Sequence, residues 1–167
     1  RPTANANQKP RDSKAQSLAS EVLVFPRAVE LAIEFQQFYK PRDPELASQL
    51  LDEAARRLKV IEDGGQWADV VGLGDGSTRQ LIVGGFESRI DGSYQPYGLD
   101  IPVGLGPSDA RPRRLDLWFH GRGETLSEVS FLSKQRTVPS QYRPADTIML
   151  HPYGRYSNAF KFAGEVD

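Results

Sequence analysis

Two short segments carry the residue types that could do chemistry. The first is His120-Gly121-Arg122-Gly123-Glu124, which follows the apolar run Leu115, Leu117, Trp118 and Phe119. Glycines at the carboxyl end of a strand permit a tight turn and let a ligand approach backbone N–H groups. A helix beginning near Glu124 would add positive potential at its N-terminus, so the turn could hold a developing oxyanion. An ordinary strand-to-helix turn has the same composition. The second segment is His151-Pro152-Tyr153-Gly154-Arg155, directly after the apolar stretch DTIML. Ligands in open α/β sheets bind outside the carboxyl ends of the strands, so parallel strands would bring both segments, and both histidines of the chain, to one rim. Arg155 could bind a carboxylate or phosphate there, or form a surface ion pair. The histidines have no HxH or HxxxH spacing. Hydrogen bonding within the fold therefore fits them better than a metal site built with Glu124 or Asp167, and no metal or other cofactor is expected.

Other chemistry is excluded or weakly signalled. Gly72-Leu73-Gly74-Asp75-Gly76 lacks the Lys-Ser/Thr that completes a phosphate loop and reads as a plain loop. Arg111, Arg113 and Arg114 form a small basic cluster that reads as solvated loop. There is no G-x-S-x-G, hence no nucleophile elbow. The absence of cysteine excludes disulfides, thiolate zinc sites and a cysteine nucleophile within this chain. A formal net charge of −1 argues against nucleic acid as a partner. No apolar run is long enough to predict a membrane span.

The elements that must position these segments follow from periodicity. Residues 1–19 are polar and read as a flexible leader. A leader of this kind, with Arg1 in place of Met, fits an exported bacterial protein and a trimmed chain equally. Residues 20–65 read as a helical hairpin. Ala28, Leu31, Ala32, Phe35 and Phe38 predict a helix over Pro26–Tyr39, with Pro26 in its first turn. Leu46, Ala47, Leu50, Leu51, Ala54 and Leu58 predict a second over Pro44–Ile61, with Asp43 as N-cap and Arg56, Arg57 and Lys59 complementing the dipole at its end. The pair resembles one tetratricopeptide-type unit without a second copy, and packing against a neighbouring domain is expected.

From Trp67 the pattern turns to strands. Arg79–Ser88 is β-rich, with Gly84-Gly85 predicting a bulge or bend. Asp91-Gly92-Ser93 is turn chemistry, and Tyr94–Pro102 returns as the partner strand. A loop over Gly104–Pro112 leads to a strand over Arg113–His120. A helix over Glu124–Lys134 buries Leu126, Val129, Phe131 and Leu132, and Asp146–Leu150 reads as a central strand buried on both faces. Strand, helix and strand in that order make a parallel βαβ unit with a right-handed crossover.

Three blocks in this order carry a resemblance: IDGSYQPYGLDIP at Ile90–Pro102, LDLWFHGRGE at Leu115–Glu124, and HPYGRYSNAFKFAGEVD at His151–Asp167. They resemble the N-terminal half of α/β-hydrolase-fold esterases and peptidases, bacterial prolyl-oligopeptidase-like and polyhydroxyalkanoate-depolymerase-like proteins in particular. The similarity covers residues 79–167. The resemblance implies an α/β fold, an early antiparallel hairpin plus a parallel βαβ unit, in which residues 66–167 are a partial hydrolase core and the helical hairpin lies outside it. It implies that His120-Gly121 precede the oxyanion-hole turn, that the N–H of Arg122 is its first donor, and that Tyr153, Gly154 and Arg155 line the entrance for an ester or peptide substrate. In this fold the serine, the acid and the catalytic histidine follow later in the chain, so they are expected downstream of Asp167; His120, His151 and Ser157 match none of them. The chain alone is therefore expected to be inactive.

The resemblance also implies the strand order 1-2-4-3, with LDLWF paired on its other side by the nucleophile-bearing strand. Without that strand an apolar edge is left open. A C-terminal partner fragment or self-association would cover it. The competing expectation is a non-catalytic α+β binding or scaffold module, associating through its helical hairpin or its exposed strand edge. A metal hydrolase at His120, His151 and Asp167 is a third reading.

Overall fold

The computed structural model describes residues 10–106 and 111–154. Helix α1 (Pro10–Glu34) starts well inside the expected leader and stops short of the expected end at Tyr39. The reason is visible in the burial pattern. Leu18, Val22, Phe25, Val29 and Ala32 are buried at alternating four- and three-residue spacing, so the apolar stripe begins before Pro26. Pro26 consequently lies inside the helix, not in its first turn. An interior proline costs roughly 3 kcal/mol, which burial of Val24, Phe25 and Ala28 around it offsets. The helix unwinds at Gln36, whose φ of 53° is left-handed, and the N–H of Gln37 closes on the Ala32 carbonyl at 2.8 Å. Phe35, expected on the apolar face, is left exposed.

Helix α2 (Asp43–Glu62) has proline in its first turn, as its sequence predicts, but its cap is Arg42. Asp43 instead lies inside the first turn, buried, and accepts the Lys40 N–H at 2.9 Å. Ala47, Leu50 and Ala54 are buried, whereas Leu51 and Leu58 of the predicted stripe are exposed. A short helix, α3 (Trp67–Val71), occupies the point where strands were expected to begin, and Gly72 ends it at φ 73°.

The chain has both helices and a four-stranded mixed sheet. Its strands are β1 (Gln80–Glu87), β2 (Tyr94–Ile101), β3 (Arg114–Leu117) and β4 (Thr147–Pro152), with helix α4 (Glu128–Thr137) between the last two. The order across the sheet is β1-β2-β4-β3. β1 and β2 are antiparallel, β2 and β4 antiparallel, and β3 and β4 parallel. The hairpin runs in unbroken register from Gln80↔Ile101 to Glu87↔Tyr94, so no bulge exists at Gly84-Gly85. These glycines answer a different demand. A Cβ on Gly84 would stand 2.0 Å from Glu21 Oε2, and one on Gly85 2.5 Å from Val24 Cβ: α1 packs against β1 too closely for a side chain. β4 is a central strand, as expected, but it alternates. Thr147, Met149 and His151 are buried, while Ile148 and Leu150 are half-buried.

Successive residues Ile82 and Val83 point to opposite faces of the sheet and join different clusters. Val83 packs with Val24, Phe25 and Ala28 of α1, Leu50 of α2, and Val129 and Leu132 of α4. Ile82 packs with Val71, Ile101 and Leu105. The two long helices and the sheet therefore share one core.

The two edges of the sheet are treated differently. At the β1 edge, Arg57 of α2 is 2% exposed. It donates to the Val83 carbonyl at 2.8 Å, the Glu21 carbonyl at 3.0 Å and Glu53 Oε1 at 2.7 Å, and its guanidinium lies 4.7 Å from the Phe25 ring centroid. Glu21 Oε2 accepts the Gly85 N–H at 3.2 Å; Oε1 accepts Trp67 Nε1 at 2.8 Å and the Tyr97 hydroxyl at 2.6 Å. Helix side chains thus satisfy edge groups of β1 that β2 leaves over. Arg57, expected to sit at the helix end for its dipole, is the centre of this seal. At the other edge, β3 has β4 on one side and, among the described residues, no strand on the other, with Leu115 50%, Leu117 52% and Phe119 58% exposed. No described helix is long and apolar enough to cross a membrane.

Candidate functional site

The parallel pair β3–β4 delivers its carboxyl ends to one rim of the sheet. There the chain leaves β3 at Leu117 and passes through His120-Gly121-Arg122-Gly123-Glu124 before reaching α4. The helix starts later than its sequence predicts. Ser127 is its N-cap, accepting the Ser130 N–H at 3.2 Å, while the Ser130 hydroxyl accepts the Ser127 N–H at 3.0 Å. This reciprocal cap fixes Glu128 as the first helical residue, so the positive end of α4 lies beyond the turn and not at Glu124. Gly121 and Gly123 both lie outside the left-handed region, so backbone conformation does not demand glycine at either. What Gly121 supplies is space: nothing stands within 4 Å of where its Cβ would be. Arg122 and Glu124 form an exposed pair at 3.0 Å.

His120 and Tyr153 are brought together. Their ring centroids are 5.6 Å apart, and the Tyr153 ring continues onto Phe131 at 5.0 Å. One imidazole nitrogen, Nδ1, lies 2.8 Å from the Gly121 carbonyl oxygen, and Nε2 contacts the Tyr153 carbonyl oxygen. A neutral ring has one N–H and can donate to one of these at a time. The contacts hold the exits of β3 and β4 against each other. Tyr153 itself is buried. Its N–H donates to the Pro96 carbonyl at 3.2 Å, and its hydroxyl donates to the Leu126 carbonyl at 2.9 Å, with burial pushing its ionisation upward.

His151 has a different setting. It is a β4 residue, paired opposite Gly98, and its Nε2 lies 2.6 Å from the Ser140 hydroxyl in the connection between α4 and β4. The Ser140 N–H donates at 2.8 Å to Asp100 Oδ2, whose other oxygen pairs with Arg79. Burial favours the neutral ring, with Asp100 opposing. Both histidines are thus engaged in hydrogen bonds that tie loops to the sheet. Among the described residues no group of three or more His, Cys, Asp or Glu could hold a metal ion. Arg155, Ser157 and Asp167 lie outside the described residues.

One residue at this end of the molecule has no sequence signal. In the helix expected over Glu124–Lys134, Glu128 is an acidic residue that no motif sets apart. In the fold it is 8% exposed, and its Oε2 is buried without a hydrogen-bond partner. Burial pushes its carboxyl up to about 7, with Arg27 only partly opposing. It lines a cavity of about 150 Å³ together with Arg27, Asp91, Ser93, Tyr94, Gln95 and Tyr153, so Tyr153 is a wall shared between this cavity and the rim. In comparisons with known proteins, no family model, no curated protein and no solved structure matches this chain.

Proposed function

We propose that the chain forms the N-terminal portion of a serine hydrolase, a carboxylesterase or peptidase. On this reading the turn His120-Gly121-Arg122 supplies one side of the oxyanion hole through the Arg122 N–H. Tyr153 and Arg155 line the substrate entrance. The observation that carries the reading is the strand order β1-β2-β4-β3, with this turn at the carboxyl end of the parallel pair. That is the order the sequence resemblance implies. Open space over Gly121 and an unpaired apolar edge on β3 agree with it. Preorganised backbone donors in such a turn stabilise the charge of a tetrahedral intermediate without reorganising during the reaction. The sequence holds no nucleophile elbow, so the nucleophile, acid and catalytic histidine belong to residues outside these 167.

Hydrolysis of p-nitrophenyl esters tests the reading. The 167-residue chain should show only the buffer rate. The same chain extended by its natural downstream coding sequence should hydrolyse the ester and carry a G-x-S-x-G. Ester hydrolysis by the 167-residue chain, abolished in His120→Ala, would overturn the assignment; so would a downstream sequence without a nucleophile elbow.

The exposed β3 edge also supports a second reading, a non-catalytic α+β module that associates through this edge. A symmetric dimer paired β3 to β3, without esterase activity in any extended form, would favour it.

A further inference from the structure

We propose that the groove between the start of α2 and one face of α4 binds a phosphate monoester carried on a small apolar body. The inference goes beyond the hydrolase reading and does not rest on it. The groove has a volume of about 800 Å³, within the range of small-ligand sites. Its α4 wall includes Ser130, Ser133, Lys134 and Thr137, whose three- and four-residue spacing puts them on one helix face. Leu46 and Leu126 are half-buried. They pack on the core and also line the groove, so part of its lining is apolar.

The charged lining is lopsided. Lys40 and Arg42 come from the entry to α2, Lys134 and Arg136 from the last turn of α4, and Asp43 is the one carboxylate lining the groove among the described residues. Asp43 is 2% exposed and accepts the Lys40 N–H at 2.9 Å, so it serves the entry to α2. Two carboxylates stand just outside. Glu45 lies 3.8 Å from Arg42, and both are exposed. Glu53 lies 3.8 Å from Arg136 but already holds Arg56 at 2.8 Å and Arg57 at 2.7 Å. Among the described residues, no carboxylate stands within 4.0 Å of the Lys40 or Lys134 ammonium, and both residues are exposed, so a ligand can reach them.

Helix polarity adds to the imbalance. Cations in the last turn of α4 complement its dipole, but Lys40 and Arg42 stand at the positive end of α2, where cations are repelled. Arg42 occupies the N-cap without a side-chain cap bond. An anion at that point is favoured by the side chains and the helix together. A phosphate monoester suits this better than a carboxylate, because it carries about two negative charges at neutral pH and has three acceptor oxygens. Ser133 and Thr125 line the groove with hydroxyls that make no hydrogen bond among the described residues.

The test uses the full chain at low ionic strength with phenyl phosphate. Benzyl alcohol supplies the ring without the charge, and inorganic phosphate the charge without the ring. Calorimetry gives the affinity, and the backbone amide resonances of Lys40, Leu126 and Lys134 report where the ligand sits. Saturable binding of phenyl phosphate is expected, with those amides shifting together. Benzyl alcohol and inorganic phosphate should each bind at least about tenfold more weakly. Lys40→Gln combined with Lys134→Gln should weaken phenyl phosphate by about tenfold or more. Lys59→Gln, in the last turn of α2 and outside the groove, should leave binding unchanged. All three positions are exposed, so the variants should keep the native urea midpoint, which is measured alongside. Equal affinity for benzyl alcohol, or for inorganic phosphate, overturns the proposal. So does undiminished binding by the double variant, an equal loss in Lys59→Gln, or amide shifts confined to another face. Absence of saturable binding to the native chain overturns it without any variant.

Discussion

The two edges of the sheet meet the same physical problem with opposite outcomes. An edge strand presents unpaired N–H and C=O groups that invite another chain. At β1 those groups are taken up by Arg57 and Glu21, carried on two helices that also bury the neighbouring core. At β3 no described helix plays that part, and Leu115, Leu117 and Phe119 are each half exposed. The lesson is that the helical hairpin is no appendage to the sheet. It closes one edge with buried charge and leaves the other free for whatever pairs with it. Buried carboxylates divide similarly. For Glu53, beside the sealed edge, burial alone would raise the pKa, but hydrogen bonds and charge from Arg56 and Arg57 outweigh it and hold it at about 2. Glu128, near the rim, has no such partner and is pushed up to about 7.

The comparison can be broken most severely at Arg57. Arg57→Met removes one partner from a buried ion network and leaves Glu21 and the Val83 carbonyl uncompensated, so a loss of about 3–5 kcal/mol is expected in urea unfolding. A loss below about 1 kcal/mol would mean that the seal is not what holds the β1 edge.

Glu128→Gln should act in the opposite direction. With its folded pKa raised from an ordinary 4.5 to about 7, the native state binds more protons than the unfolded chain between those values. Stability therefore falls as pH rises through that window. Glutamine abolishes the effect and should gain about 3 kcal/mol at pH 8 and almost nothing at pH 4. Parallel pH profiles for variant and native chain would show that Glu128 is not desolvated. Glu53 has the reverse sign: its contribution is present above 4.5 and is lost as pH falls toward 2.

Gly85→Ala tests how tightly α1 lies on β1. The new methyl would meet Val24 Cβ at 2.5 Å and the Ser20 carbonyl oxygen at 2.6 Å. Overpacking of about 1–3 kcal/mol is expected, measured as a lowered Tm. An unchanged Tm would mean that the helix yields.

The smallest effect on stability belongs to the open edge. Leu117→Lys should stay within about 0.5 kcal/mol of the native chain, because the side chain is already half exposed. Sedimentation should nonetheless show less self-association, since a charge on an edge strand discourages pairing. Association that is indifferent to Leu117→Lys and to Leu115→Lys would move the sticky surface elsewhere.

Much of the sheet was legible because period-two patterning and turn chemistry are local. The hairpin about Asp91-Gly92-Ser93, the existence of all four strands and the central place of DTIML follow from residues near each other in sequence. What failed was set by distant partners. Gly84 and Gly85 look like a bulge until α1, some sixty residues earlier in the chain, is laid across them. Arg57 looks like a surface charge at a helix end until Glu21 and Val83 surround it. Pro26 looks like a start because proline suits a first helical turn; the buried residues before it, Leu18, Val22 and Phe25, are what carry the helix through it. At the candidate site, the proximity of His120 and Tyr153 was foreseeable from parallel strands. The cavity beside Glu128 was not, because it is walled by α1, a hairpin turn and the end of β4, which no single motif links.

The strand order has a consequence in time as well as in space. β2 accepts β4 on its inner side, yet everything between Ile101 and Thr147, including β3 and α4, is synthesised in the interval. At ordinary translation rates the β1–β2 hairpin waits on the order of seconds for the strand that completes it, far longer than a hairpin takes to form. During that wait the outer side of the hairpin is already guarded by residues made earlier, on α1 and α2. A nascent chain built in this order keeps the outer side of the hairpin covered while β2, and then β3 as well, wait for the one strand that fills the gap between them.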